Sequence, residues 1–424
     1  MSEQAKKLVP EKRFSEFRSA EEWELSQFSE VYNLHTTNSY SRDMLNYENG
    51  SVKNIHYGDI HTKFQILFDI TKETVPFINP SESLEKIKPE SYCVEGDIVF
   101  ADASEDLAGV GKSIEIVNLN NEPLLSGLHT LLARQKDNKL VIGFGGHLFK
   151  SAGIRKQIQK ESQGAKVLGI SGGRLSGIKV YFPSDKQEQQ KITDCLSSLD
   201  DLITAQSQKV EALKQHKKGL MQQLFPAEGE TFPKLRFPEF ENEPWNIKPL
   251  GKVADNLDFK RVPITESDRK KGATPYYGAS GIIDYVEGYI FDEDLLCISE
   301  DGANLVARSY PIAFSISGKT WVNNHAHVLK FKKKFTQTII ENYLNSISLE
   351  DYLTGMAQPK LNQAKLEIIP IPLPENEDEQ KKIANLLSSM DELITTQIQK
   401  LEAYKPHKNG LMQQLFPSLK GIEK

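Results

Sequence analysis

One segment of this chain occurs twice. Residues 188–226 read EQQKITDCLSSLDDLITAQSQKVEALKQHKKGLMQQLFP and residues 379–417 read EQKKIANLLSSMDELITTQIQKLEAYKPHKNGLMQQLFP, without a gap and at a constant offset of 191. A repeat this long and this close requires two equivalent structural places. Each copy follows a longer stretch that differs far more from its counterpart, so the order along the chain is variable, constant, variable, constant. Outside the constant segments the repeat continues more weakly: Pro10, Arg13, Phe14, Glu16, Phe17 and Trp23 return as Pro233, Arg236, Phe237, Glu239, Phe240 and Trp245. The two tryptophans are expected to anchor domain cores. Within the variable stretches, GDIVFADASED from Gly96 faces EDLLCISEDG from Glu293 at an offset of 197. LHTLLA from Leu128 faces AHVLKF from Ala326 at 198, which pairs His129 with His327 as a fold residue. One fold carrying different loops accounts for both observations.

The constant segments have the 4-3-4-3 spacing of a coiled-coil seam. In the first copy the seam is Ile192, Leu196, Leu199, Ile203, Gln206, Val210, Leu213, Lys217, Leu220 and Leu224. In the second it is Ile383, Leu387, Met390, Ile394, Gln397, Leu401, Tyr404, Lys408, Leu411 and Leu415. Gln206 and Gln397 occupy the same seam position, either as a register lock or as a solvated site at a kink. Ser184 with Gln187, and Asn376 with Glu379, have the spacing of a capping box. Pro406 replaces Gln215 and is expected to kink the second helix near Tyr404. A run from 188 to 224 is about 55 Å long at ~1.5 Å per residue. Antiparallel packing would put one globular domain at each end of this rod, related by a pseudo-twofold axis, with the chain termini as neighbours.

Composition narrows the class further. Charged residues are 26% and hydrophobic residues 38% of 424, as in an ordinary globular protein of two or three domains. No apolar run reaches the roughly 18 residues of a membrane helix, and MSEQAKKLVPEKRF lacks a signal-peptide core, so a cytoplasmic location is expected. Cys93, Cys195 and Cys297 lack metal-ligand spacing and suit a reducing compartment. The net charge of −6 requires any DNA-binding surface to be a local patch or to be completed by a partner.

Catalytic lookalikes fail on inspection. GVGKS at Gly109–Ser113 lacks the first glycine of a P-loop, since position 106 is Asp. GFGG at Gly143–Gly146 stands without a methyltransferase tetrapeptide. His325 and His327 in NNHAH share a strand face but suggest no third metal ligand. No catalytic residue, metal site or cofactor is therefore expected in this chain. Base readout needs polar side chains near base edges, while phosphate contact needs only charge or N–H donors. Loops carrying such groups beside aromatics give the candidates His56, Tyr57, His61, Lys63, Lys112, Ser113, Arg155, Lys156, Lys260, Arg261, Tyr276, Tyr277, Ser280, Lys319, Trp321, Asn323 and Asn324.

The chain resembles the DNA-specificity subunit of Type I restriction-modification systems over essentially its whole length. The resemblance is carried by the two helical repeats ending in GLMQQLFP and by PKLRFPEFENEPWNIKPLGKVAD, YYGASGIIDYVEGYIFDEDLLCISEDGANL, WVNNHAHVLK, NIHYGDIHTKF and GDIVFADASED. It implies an α+β fold with two target-recognition domains, residues 1–184 and 245–374. Helical spacers at 185–226 and 375–417, a linker at 227–244 and a tail at 418–424 complete the chain. It also implies double-stranded DNA as ligand, read as a bipartite asymmetric site with a helix-set gap. Two modification subunits carrying S-adenosylmethionine chemistry and motor-nuclease restriction subunits would be its partners. The rival reading, from the residues alone, is a coiled-coil adaptor with twin protein-binding domains.

Overall fold

The computed structural model describes residues 8–355 and 358–418. Of the tail expected at 418–424, residues 419–424 lie outside the described residues. Two compact units form: unit 1 is Met1–Thr204 with Glu402–Lys424, and unit 2 is Ala205–Leu401. Each contains a mixed helix-and-sheet globular part and a length of both long helices, α1 (Lys186–Leu224) and α2 (Glu377–Leu415).

Every seam position read from the heptads is buried or half-buried, none exposed. The polar ones are paired. In unit 2 the Gln206 Nε2 donates to the Gln397 Oε1 at 3.0 Å and to its carbonyl at 2.9 Å, and Lys217 binds Asp391 at 2.5 Å. In unit 1 the largely buried Lys408 binds Asp200. Partner numbers fall on one helix as they rise on the other, so the helices run antiparallel. Lys217 and Lys408 are repeat equivalents, as are Asp200 and Asp391. Gln206 meets its own equivalent, and the amide pair satisfies both groups where leucine would satisfy neither. α2 remains helical through Pro406, which lacks the N–H that would bond the Glu402 carbonyl.

The helix starts differ from the expected capping boxes. The Asp185 Oδ1 accepts the Gln187 N–H at 2.8 Å, and the Asn376 Oδ1 accepts that of Asp378 at 2.9 Å. The offset of 191 makes Asp185, not Ser184, the counterpart of Asn376. The glutamates at the box position are drawn elsewhere. Glu188 takes a two-pronged ion pair from Arg13 at 2.7 and 2.6 Å, and Glu379 takes one from Arg236 at 2.7 and 2.8 Å. Beside them, buried Gln189 and Gln380 donate to the Pro183 and Pro374 carbonyls, both at 2.7 Å. Antiparallel two-stranded ladders, Glu24–Gln27 with Lys179–Phe182 and Asn246–Pro249 with Pro370–Leu373, complete this repeated frame.

Trp23 and Trp245 are 2% and 1% exposed and pack edge-on against Phe416 and Phe225 from the two GLMQQLFP motifs. The Lys12 N–H donates to the Gln414 carbonyl at 2.8 Å, the bond that Leu235 makes to Gln223 at 2.9 Å within the linker. The start of the described chain therefore meets the end of α2 as the linker meets the end of α1.

On this frame unit 1 carries a five-stranded sheet of β1 (Tyr32–His35), β2 (Leu67–Asp69), β3 (Ile98–Ala101), β4 (Ser113–Asn118) and β5 (Thr130–Gln135), in the order β1-β5-β3-β4-β2. Unit 2 carries β6 (Asp255–Asn256), β7 (Lys271–Gly278), β8 (Gly281–Val286), β9 (Phe291–Asp292), β10 (Leu295–Ser299), β11 (Ala313–Ile316), β12 (Lys319–Val322) and β13 (Ala326–Lys330). Its sheets have the orders β6-β13-β10-β11 and β8-β7-β12-β9.

Register corrects one sequence alignment. Thr130 lies opposite Ala101 and His327 opposite Ile298, so the offset of 197 that relates β3 to β10 also relates β5 to β13. His327 thus stands in the place of Thr130. His129 precedes its strand with a left-handed backbone, φ +57°. A one-residue shift exchanges the faces of a strand, which is why His327 is buried while the His129 side chain is 52% exposed.

The GFGG run is internal. Buried Glu115 of β4 accepts the Gly143 and Gly146 N–H groups at 2.8 and 2.6 Å, and a Cβ on Gly145 would lie 2.9 Å from Ile98. Burial pushes the Glu115 carboxyl up to about 8, with the two N–H bonds opposing it only in part. The folded state then holds a proton that the unfolded state has released at ordinary carboxylate pH. Stability contributed by this group is complete in acid and falls between about pH 4.5 and 8. Glu115→Gln will flatten that decline relative to wild type, measured as melting temperature against pH; parallel curves would contradict a protonated Glu115.

Candidate nucleic-acid interface

In unit 1, helix Tyr57–Thr62 and the loop entering β4 bring Tyr57, His61 and Lys112 to one open cleft of about 790 Å³, with His129 and Asp106. The Tyr57 ring lies 4.7 Å from His56, 6.3 Å from His61 and 5.4 Å from His129. The Lys112 ammonium donates to the His61 carbonyl at 2.6 Å, while burial, then Arg155, pushes its pKa down. His61 Nε2 faces the Ala103 carbonyl at 3.0 Å. Exposed Lys63 and Arg42 both bind the buried Asp59. Burial raises the Asp59 carboxyl, but hydrogen bonds from Arg42 and Lys63 outweigh it and hold the group below the usual range. His56 is held low by burial first and by Arg42 second. Arg42, Tyr47 and His129 belong to this cluster and were missed in the sequence. A left-handed backbone at a non-glycine residue was the hidden signal at His129.

The other unit 1 candidates do not line this cleft. Ser113 is half-buried at the start of β4, opposite Phe100. Arg155 donates to the carbonyls of Ala108, Val110 and Gly111, stapling the GVGKS turn, which leads into a strand instead of the helix a phosphate-binding loop would open. Lys156 is exposed beside Met412 and Gln413, in a groove at the end of α2.

In unit 2 the segment after β6 is a strap tied to both sheets, to β13 through Leu257 and Arg261 and to β7 and β12 through Ile264 and Val262. The Tyr276 hydroxyl accepts the Ile264 N–H at 2.9 Å, and the Trp321 Nε1 donates to the Val262 carbonyl at 2.7 Å. β7 and β12 pair in parallel with Tyr276 opposite Trp321, so Tyr276, Tyr277, Lys319 and Trp321 share one sheet. Tyr276 is buried; Tyr277 is half-buried and stacks on Phe314 at 5.9 Å. Lys319 is exposed over the Tyr289 ring at 4.8 Å, and Ser280 is exposed in the β7–β8 turn. Asn323 is buried, its N–H donating to the Tyr277 carbonyl at 3.0 Å and its Oδ1 accepting the His325 N–H at 2.8 Å; its neighbour Asn324 is exposed.

Lys260 is exposed, but Arg261 is committed inward, to Glu300 at 2.6 Å, to the Ala326 carbonyl at 2.9 Å and to Asp258 at 3.4 Å. Asp258, Glu300 and His327 could hold a metal by geometry, with ligand atoms within 4.8 Å of one another. The guanidinium supplies a cation to both carboxylates, and the His327 Nδ1 faces Asp258 at 2.5 Å while its Nε2 faces the Leu361 carbonyl at 2.7 Å.

The two units thus share a frame and present different groups on it. A family model described as Type I restriction modification DNA specificity domain matches residues 20–215 and again 242–403. The chain belongs to this family. A putative type I restriction enzyme specificity subunit from Haemophilus influenzae is 41% identical over 127 residues, 30% of this chain and 32% of that relative's length. The putative MjaX specificity subunit of Methanocaldococcus jannaschii is 26% identical over 418 residues, 93% of each chain. The crystal structure of a Type I S subunit from M. genitalium has the same fold, with a TM-score of 0.63 at 14% identity, covering 97% of this chain and 100% of that one. As a specificity subunit the chain is a non-catalytic, DNA-recognising component of a restriction-modification complex, and such subunits assemble with other subunits of their system and with DNA. No described helix is long and apolar enough to cross a membrane.

Proposed function

We propose that each globular part reads one half of a bipartite, asymmetric DNA site, and that the length of the paired helices sets the unread gap between the halves. One observation carries this reading: an identical frame of ladder, Arg–Glu pair, glutamine clamp and long helix bears two unlike sets of exposed polar and aromatic groups. Two modification subunits, holding S-adenosylmethionine, would dock on the repeated features, restriction subunits would join for cleavage, and the whole would work in the cytoplasm. Phosphate contacts then make affinity for duplex fall with added salt.

The test maps methylated bases in DNA from cells expressing the full system, with wild type and with matched insertions duplicating Thr204–Ser207 and residues 395–398. Inserting beside the Gln206–Gln397 pair in both helices keeps the pairing within each half. Wild type will yield two short words and a gap. The insertions add about 6 Å, at ~1.5 Å per residue, and will lengthen the gap by one or two base pairs at ~3.4 Å each. A contiguous site, or a gap that does not change, is the contrary result.

A further inference from the structure

We propose that Phe259 is an apolar base-contacting residue for the half-site read by unit 2, with Lys260 placing the adjacent phosphate; this deepens the DNA-reading proposal and rests on it. Phe259 is 79% exposed, the most exposed of the large hydrophobic side chains in the described residues. Exposing a whole phenyl ring forgoes about 2 kcal/mol of burial, and this ring stands beside a cation and an amide on a rigid support.

The support is rigid. The Asp258 Oδ1 accepts the Val328 N–H at 2.8 Å and its Oδ2 faces His327 at 2.5 Å, while its carbonyl accepts Arg261 Nε at 3.1 Å. The Leu257 N–H reaches the Val328 carbonyl at 2.8 Å, and the Lys260 N–H closes the turn on Leu257 at 2.9 Å. Residues on both sides of Phe259 are therefore pinned, to β13 and to one another, which fixes the backbone from which the ring projects. Arg261, which sequence alone would send to DNA, instead braces the pedestal.

The occupant is identified by charge and by contrast. Exposed Lys260 adjoins the ring and exposed Asn324 lies across the strap, whose Arg261 touches the Asn324 carbonyl at 3.4 Å. A cation, an amide and a projecting apolar group together match a phosphate beside base edges, where phenylalanine contacts a thymine methyl or a base step. The feature is confined to one half. By the pairing of Asn256 with Leu329 and of His35 with Leu132, Thr37 and Asn38 hold the places of Asp258 and Phe259, and the Thr37 hydroxyl simply bonds the Thr130 carbonyl at 3.2 Å. A group serving the shared frame would recur; a group serving one word of the site need not.

The experiment uses the complete complex and two duplexes, one bearing the mapped site and one with the half-site of unit 2 scrambled. Phe259→Ala will weaken binding to the mapped duplex roughly tenfold and leave the scrambled duplex unchanged, while Phe259→Tyr restores most of the loss. Lys260→Ala will weaken both duplexes and lower the salt slope by about 1. If wild type binds the mapped duplex tightly and Phe259→Ala binds it equally well, the proposal falls while the DNA-reading function stands. If Phe259→Ala instead fails to assemble with its partner subunits, the ring is a protein contact and the proposal falls as well. Failure of wild type to bind duplex in a salt-dependent way would remove both.

Discussion

Glu379→Ala will destabilise unit 2 by about 3–5 kcal/mol, because it leaves a buried guanidinium without its counter-charge. Arg236 and Glu379 have side chains only 6% and 1% exposed, and their contact is two-pronged. The Glu379 Oε1 also accepts the Trp245 indole N–H at 3.1 Å, so the same substitution orphans a buried donor. The repeat supplies an internal control. Arg13 and Glu188 form the equivalent pair with the same exposures, but the Trp23 indole nitrogen has no hydrogen-bond partner. Glu188→Ala should therefore cost less than Glu379→Ala by about 1 kcal/mol, the net worth of one hydrogen bond. Replacing Arg236 and Glu379 together by apolar residues of similar volume should recover most of the loss. Urea unfolding of the single and double variants measures all of this; a loss under about 1 kcal/mol for Glu379→Ala would mean the pair does not hold the frame.

A fragment of residues 1–226 will form a twofold dimer. In unit 1, Trp23 packs with Met412, Leu415 and Phe416, and Asp200 binds Lys408. The fragment lacks those residues but carries their repeat equivalents Met221, Leu224, Phe225 and Lys217, identical in type. A second copy can provide them, and the first copy returns the same contacts, the isologous condition for a closed dimer. Gln206 would then meet Gln206, as it now meets Gln397. With modification subunits present, the dimer will direct methylation to a symmetric site built from two copies of one word. Lys217→Glu should abolish the dimer by setting like charges together, and adding Asp200→Lys should restore it. A fragment that stays monomeric on sedimentation, and never methylates a palindrome, would show that the halves are not interchangeable.

How far the sequence could be read depended on whether the partners of a residue lay at a fixed spacing. Heptads place seam residues by period alone, so Gln206, Lys217 and Lys408 could be located before their partners were known. The capping boxes failed for two reasons: Asp185, one residue beyond Ser184, takes the first cap, and in the second the Glu379 carboxylate is turned to Arg236, 143 residues away, and to the Trp245 indole. Candidate DNA contacts divided along the same line. Arg155 and Arg261 carried the right charge, but the acceptors of Arg155 stand 44 to 47 residues away and those of Arg261, its neighbour Asp258 apart, 39 to 65, and only the fold revealed that they are spent inside. Phe259 was passed over for the opposite reason, since phenylalanine in a sequence reads as core.

The order of variable and constant parts, the two long helices and their register, and membership in a family of specificity subunits were determined by the sequence itself, because repetition and period are local properties of the chain. Tertiary structure alone decided which charges face water, which histidine enters the sheet and which ring is left outside. Those outcomes depend on strand register and on buried pairing between distant residues, where a one-residue shift or a single carboxylate exchanges inside for outside.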